Sequence, residues 1–410
     1  MAISGKLSRL ILLLTVSGLL IISCSKEDSE PQYDHFVSKQ VVLQLTQEYL
    51  AGIVDAASES NPEVLAIKPL IASDVTVYRV VYKTNISGVD IDASGLVCVP
   101  ATHGDYPVLS FQNGTNTYNA LAPSMLPADL SYQMIELIAS LGYVVVIPDY
   151  PGFGASSTVP HPYLVKEPTV KSITDMFLAV KEFVPQLPGT GLVNEYYLLG
   201  YSQGGWATLA LHKALELDYS SEFTLAGSAC GAGPYDMYLL LDGMLDSETY
   251  PMPVYIGYIV NAYIAYEQIT NTVTDLLNEP YASRISGLYT GQLTSAEINS
   301  QLTTNIADLI TPDFLEGFAT APEYASVRSA LGNNSIAAWH TNKPLLLVHG
   351  SADTQVDPVT TENLYAGMIE AGTPPDICHK MIIPGADHGD GIIPAILQGV
   401  LFLNDLKTAR

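Results

Sequence analysis

The chain has 410 residues, of which 48% are apolar and 14% charged. That is enough to bury one large core, or a core with a subdomain, and too apolar for a disordered chain. With 42 acidic against 17 basic residues, the net charge of −25 argues against nucleic acid, whose phosphates need Lys and Arg, and against electrostatic docking on anionic lipid. The acidity reads as solubility.

At the N-terminus, Lys6 and Arg9 precede an apolar run over 10–22 that is too short to span a bilayer. The run closes on Ile21-Ile22-Ser23-Cys24, which resembles the lipobox of bacterial lipoproteins. The resemblance implies that 1–23 is a signal peptide and that Cys24 is lipidated, making the membrane a partner through that anchor only. An ordinary secretory signal with an incidental cysteine is the alternative. Residues 24–34, polar and acidic, read as a tether. By resemblance to lipoprotein sorting, acid residues so placed imply an outer-membrane or cell-surface address in a bacterium. Cys98, Cys230 and Cys378 remain; three thiols cannot all pair, and they read as small buried hydrophobes.

Past the tether, Val41, Leu45, Tyr49 and Ile53 recur at helical spacing, which predicts one helix over about 34–58 with Asp34 as its cap. Apolar, β-branched stretches at 75–82 and 91–100, separated by Asn85-Ile86-Ser87-Gly88, predict an antiparallel pair. Short continuous apolar runs at 107–111, 143–148 and 196–199 predict strands buried on both faces of a parallel sheet, with helices at 132–141 and 170–183 between them. This alternation predicts a doubly wound α/β fold. After a further strand run at 223–230 the rhythm breaks. About a hundred residues follow with helical pattern and many tyrosines, among them Tyr250, Tyr255, Tyr258 and Tyr263. Strand runs resume at 344–348 and 380–383, and a final helix is predicted over 394–406. The chain therefore divides into a core over 35–233, a helical cap insertion over 234–340, and the rest of the core over 341–410. The insertion's stretch 251–266 is a candidate lining for an acyl pocket; individually, most of its tyrosines read as packing residues.

The chemistry gathers at strand ends. Gly200-Tyr201-Ser202-Gln203-Gly204 follows a strand run and leads into a helical run over 206–217. A nucleophile elbow needs that order, because a sharp strand-to-helix turn projects the serine hydroxyl above the sheet. A serine hydroxyl needs an imidazole to take its proton, and the imidazole needs an orienting carboxylate. His349-Gly350-Ser351-Ala352-Asp353 follows one strand run, and Pro384-Gly385-Ala386-Asp387-His388-Gly389 follows another. Asp353 is the candidate acid ahead of Asp357 and Asp387. His388 is the candidate base ahead of His349, which belongs to the acid's loop, and His379, which precedes its strand. His103, His212 and His340 read as packing or surface residues, and His161 as either that or a pocket lining. No H-E-x-x-H, cysteine cluster or phosphate loop occurs, and Gly152-Phe153-Gly154 lacks the third glycine of a dinucleotide fingerprint, so no metal or cofactor is expected.

Four blocks together carry a family resemblance: Phe111-Gln112-Asn113-Gly114-Thr115, Asp149-Tyr150-Pro151-Gly152-Phe153-Gly154, the elbow, and the paired Asp353 and His388 loops. From about residue 75 onward the chain resembles α/β-hydrolases, and within them secreted lipases and esterases with a helical cap. The order Ser202, Asp353, His388 is the order of that family. The resemblance implies a mostly parallel sheet under a cap. It also implies an oxyanion hole made by the backbone of Gln203 and a second donor from the loop after Phe111. Where the family commonly has His-Gly this chain has Asn113-Gly114, which leaves Gly114, Thr115 and Asn113 open as that donor. The 149–154 block shapes a turn. The expected function is hydrolysis of a small-molecule or lipid carboxylic ester through an acyl-enzyme. Peptidase and acyltransferase are the alternatives on the same fold, and a non-catalytic surface lipoprotein is the alternative from another class.

Overall fold

The computed structural model describes Tyr33–Ala409; the expected signal peptide, Cys24 and most of the tether lie outside the described residues. Nine strands form one sheet in the order β1-β2-β3-β5-β4-β6-β7-β8-β9. They are β1 (Phe36–Leu45), β2 (Val75–Ile86), β3 (Val89–Pro100), β4 (Gly104–Gln112), β5 (Val144–Pro148), β6 (Thr190–Tyr201), β7 (Leu225–Gly231), β8 (Leu345–Gly350) and β9 (Cys378–Ile383). The first three and the β3–β5 pair are antiparallel, and from β5 to β9 all neighbours run parallel. β2 and β3 join through Ser87 and Gly88, both at positive φ, as a two-residue hairpin turn requires.

The single helix expected over 34–58 is two elements. β1 occupies its first half, and a helix, Gln47–Ser58, starts only after Thr46, whose hydroxyl accepts from Tyr49 N–H. The four-residue spacing of Val41 and Leu45 is coincidental. β1 is an edge strand with most residues open to solvent, so no alternation of buried and exposed positions marks it, while its β-branched content suits pairing with β2. The predicted helix over 132–141 is likewise a helix, Leu130–Glu136, that tightens into a 3₁₀ turn at Leu137–Leu141.

Helices cover both faces of the sheet. Lys166–Phe183 and Gln203–Leu217 pack on one, through Ile173, Phe177, Leu209 and Leu211. Gln47–Ser58, Leu130–Glu136 and Ile392–Thr408 pack on the other, through Leu50, Ile135 and Leu403. Between β7 and β8 the chain is helical, from Met237–Leu245 to Ala325–Asn334, with only isolated bridges such as Thr249 to Asn305. Its interior is continuous with the first core, and residues 33–410 form one compact unit. The most apolar of its helices, Pro253–Ala265, turns Ile256, Ile259 and Val260 inward with Leu276, Ile310 and Phe314, as an all-round apolar helix must. Cys98, Cys230 and Cys378, on β3, β7 and β9, are free and buried. Among the described residues no helix is long and apolar enough to cross a membrane.

Candidate active site

In a parallel sheet the carboxyl ends of strands share one edge. β4, β6, β8 and β9 end there, and the loops that follow them carry Gly114, Ser202, Asp353 and His388. Ser202 joins β6 to the helix Gln203–Leu217 with φ 59° and ψ −125°, a sparsely populated conformation for a residue with a side chain. Its N–H donates to Gly231 O at 2.9 Å, which anchors the turn to β7. Strand and helix meet so closely that a Cβ on Gly204 would collide with the Gln112 carbonyl, and one on Gly200 with the Gly204 carbonyl.

Three side chains meet in a line. His388 Nε2 lies 2.9 Å from Ser202 Oγ, and His388 Nδ1 donates to Asp353 Oδ2 at 2.6 Å. The second carboxylate oxygen accepts from the N–H groups of Gln355 and Val356, both at 2.9 Å. Burial works against the Asp353 charge, but hydrogen bonds from His349 and His388, the nearby His388 charge and the Val356 N–H hold it well below the usual carboxylate range. An anion at Asp353 fixes the proton on Nδ1 and leaves Nε2 free to accept from the serine. Tyr201, one residue before the serine, donates its hydroxyl to His388 O at 2.7 Å and ties the base's backbone to β6.

The competing residues have other partners. Asp387 and Asp357 are exposed and accept from backbone N–H groups of their own turns, at Asp390 and Val359. His349 is buried behind the acid. Its Nε2 N–H is shared between Val356 O at 2.9 Å and Asp353 Oδ2 at 3.2 Å, while Nδ1 meets the Thr361 hydroxyl. His212 is a core residue between Ser228 and Thr341.

The candidate oxyanion donors flank the hydroxyl. Gln203 opens its helix, where early N–H groups have no intrahelical acceptor. The β4–β6 ladder ends at Gln112 and Gly200, so the sheet does not use the N–H groups of Gly114 and Thr115. Gly114 lies against Ser202: a Cβ built on it would stand 3.9 Å from Ser202 Cβ. Asn113 turns its amide toward Gly114 O at 3.3 Å, and Tyr150, at φ 67° in the 149–154 turn, holds Asn113 O from below at 3.3 Å.

His161 proves to be the support for Gln203. Its Nδ1 donates to Pro151 O and its Nε2 accepts from Gln203 Nε2, both at 2.9 Å. Burial pushes its pKa down to about 4, so the ring stays neutral. Around it Tyr163, Tyr258 and Tyr289 form a stack, with centroid spacings of 4.4 and 4.7 Å. Tyr258 reaches from the helical insertion to donate to Asn116 O at 3.1 Å, and Thr117 donates to Leu293 O at 2.9 Å. The insertion is thus fastened to the loop that carries Gly114. Among the described residues no three His, Cys, Asp or Glu side chains converge as a metal site would need.

Comparison with known proteins agrees with the fold. The model of the Alpha/beta hydrolase family matches residues 122–395, more than half of the chain. No curated protein matches the sequence. Among solved structures, a Legionella pneumophila protein superposes with a TM-score of 0.81 at 23% identity, over 91% of this chain and 98% of that one. The rice cell wall degrading esterase LipA from Xanthomonas oryzae gives 0.77 at 23% identity, over 92% and 98%. Candida antarctica lipase A gives 0.65 at 16% identity, over 90% and 81%. At these identities the likeness is one of fold.

Proposed function

The chain belongs to the alpha/beta hydrolase family, and on that premise we propose that it hydrolyses carboxylic esters through an acyl-enzyme at Ser202. The supporting observation is the unbroken line from Ser202 Oγ to His388 to Asp353, at 2.9 and 2.6 Å. His388 Nε2 takes the serine proton as Oγ bonds to the ester carbon. The resulting oxyanion is held by N–H groups of Gln203 and of Gly114 or Thr115. The tetrahedral adduct collapses, the alkoxy bond breaks, and His388 returns the proton to the departing alcohol. Water then repeats the sequence on the acyl-enzyme, releasing the acid and restoring Ser202. The mechanism draws on no cofactor. The segment 234–340 is proposed as a cap over this edge, supported by its fastening at Asn116 and Thr117.

Labelling by a fluorophosphonate and turnover of nitrophenyl acetate test the reading. Both are expected in the native protein and absent in a folded Ser202→Ala variant, where loss of a triad serine costs about a million-fold in turnover. A folded, unlabelled native protein that turns over no ester would favour a non-catalytic role.

From the sequence we also propose a lipid anchor at Cys24 and a bacterial envelope address. Cys24→Ala is expected to leave the membrane fraction or to accumulate as precursor, since a lipid chain contributes about 0.8 kcal/mol per buried CH₂. A correctly cleaved variant still bound to membranes contradicts it.

A further inference from the structure

The acyl chain of a lipid ester was expected against the insertion's stretch 251–266. Ile256, Ile259 and Val260 of that helix face the insertion's own interior while its Tyr258 bonds to the loop that carries Gly114, and a groove with exposed apolar walls opens at Gly114. A cleft of about 350 Å³ is bordered by Gly114, Thr115 and Asn116 on one side and Tyr132 and Ile392 on the other. A second, of about 270 Å³, is bordered by Val64, Ile67, Met134, Ile138, Ile393 and Val400. The two share Ser131, Ile135, Ile392 and Ile396, so they are stretches of one groove. It starts at Gly114, which lies against the serine, and its far wall begins at Ile392, four residues beyond His388.

The groove has a buried apolar floor and an exposed apolar rim. Val64, Ile67, Ile135 and Leu397 are buried beneath it, whereas Leu130 is 64% exposed and Ile392 40%. Apolar side chains held open around a concave slot mark a binding surface. In the other large cleft near the site, about 570 Å³ along the acid loop, Leu239, Leu240, Met244 and Val356 are interspersed with Asp236, Ser247, Gln355 and Asp357, whereas the 270 Å³ stretch of the groove has Ser131 as its one polar lining residue.

We propose that the groove running from Gly114 between the helices Leu130–Glu136 and Ile392–Thr408 holds the acyl chain of the ester, which makes medium- and long-chain fatty acyl esters the substrate class. This rests on the reading of Ser202 as nucleophile. An acyl group bonded to Ser202 Oγ with its oxygen toward Gly114 would extend along the cleft that Gly114 opens. Gly114 both borders the cleft and lies against Ser202, and an alkyl chain leading from there fills the concave floor, which a flat lipid surface would leave unfilled.

The test is a series of nitrophenyl esters from acetate to dodecanoate, measured below their aggregation concentrations. Each methylene taken up by the groove raises kcat/KM about fourfold in the native protein. Ser131→Trp, at the neck shared by the two clefts, and Leu130→Asp, on the rim, are each expected to lower the dodecanoate-to-acetate ratio at least tenfold. Both positions are exposed, so the variants fold. Acetate turnover without a gain along the series, or a ratio untouched by both variants, overturns the groove and leaves the hydrolase reading standing. A ratio that moves with Tyr255→Ala instead returns the chain to the insertion. Losses confined to emulsified ester would mean that the rim docks on lipid, and overturn it too. If no ester is turned over and no fluorophosphonate reacts, the reading of Ser202 falls and the groove falls with it.

Discussion

The strand-end loops and the helical insertion meet at Asn116, yet they are built on opposite plans. In the loops each functional side chain has its own partner, and each loop is fixed by a strand whose register leaves no slack: Gly204 against the Gln112 carbonyl, Ser202 N–H on Gly231 O. The insertion is assembled from short helices closed by local caps, as Thr294 with Glu297 and Thr272 with Asp275, and joined by aromatic contacts. Position is dictated from a distance in the first region and settled locally in the second. Changes in the loops should therefore cost turnover while the fold survives, and changes in the insertion should cost stability first.

Asp353→Asn tests the loop side most severely. An amide in place of the carboxylate favours the wrong imidazole tautomer, and kcat is expected to fall about 10⁴-fold with the melting temperature little changed. Asp357→Asn and Asp387→Asn, which serve only their own turns, should stay within a few-fold of the native rate. Equal losses at all three positions would erase the distinction between a partnered acid and its neighbours.

Tyr258→Ala probes the seam. It removes two ring stacks and the hydrogen bond to Asn116 O, and truncation of a buried aromatic costs about 3–5 kcal/mol. Denaturant unfolding should register that loss, with turnover by the folded fraction reduced far less than in Asp353→Asn. A collapse of turnover at unchanged stability would assign Tyr258 to the catalytic edge.

The smallest expected effect depends on pH and lies in the sheet's other face. Glu136 is buried with neither carboxylate oxygen partnered by protein, and burial raises its pKa to about 8. A raised carboxyl pKa gives stability that is complete below the unfolded value, near 4.5, and is lost as pH rises through 8. Burial opposes the charged form, so Glu136→Gln should raise stability at pH 9 and change little at pH 4. A variant equally stable relative to the native protein at both pH values would show that Glu136 is not charged in alkaline solution.

What could be read from the sequence follows the same division. The parallel strands were legible because burial on both faces writes itself as short continuous apolar runs, and the convergence of the candidate residues Ser202, Asp353 and His388 was legible because they follow those runs directly. β1 was hidden by its exposed edge, where Val41 and Leu45 mimic a helical stripe. His161 reads in the sequence only as a packing, surface or pocket-lining residue; it sits between Pro160 and Pro162, and its hold on Gln203 exists only once two loops have met. The groove was equally invisible, because its walls come from residues near 64, 131, 138 and 393, each ordinary alone.

The three buried thiols have a practical consequence. Burial pushes Cys98 and Cys230 well above the ordinary thiol range and Cys378 up to about 12, so none presents a thiolate to a reagent while the sheet is closed. They lie on β3, third from the β1 edge, on β7, third from the β9 edge, and on β9, the edge itself. Alkylation at each therefore clocks the opening of its own strand. The order in which the three react records whether the molecule comes apart from the β9 edge inward or as a single cooperative event.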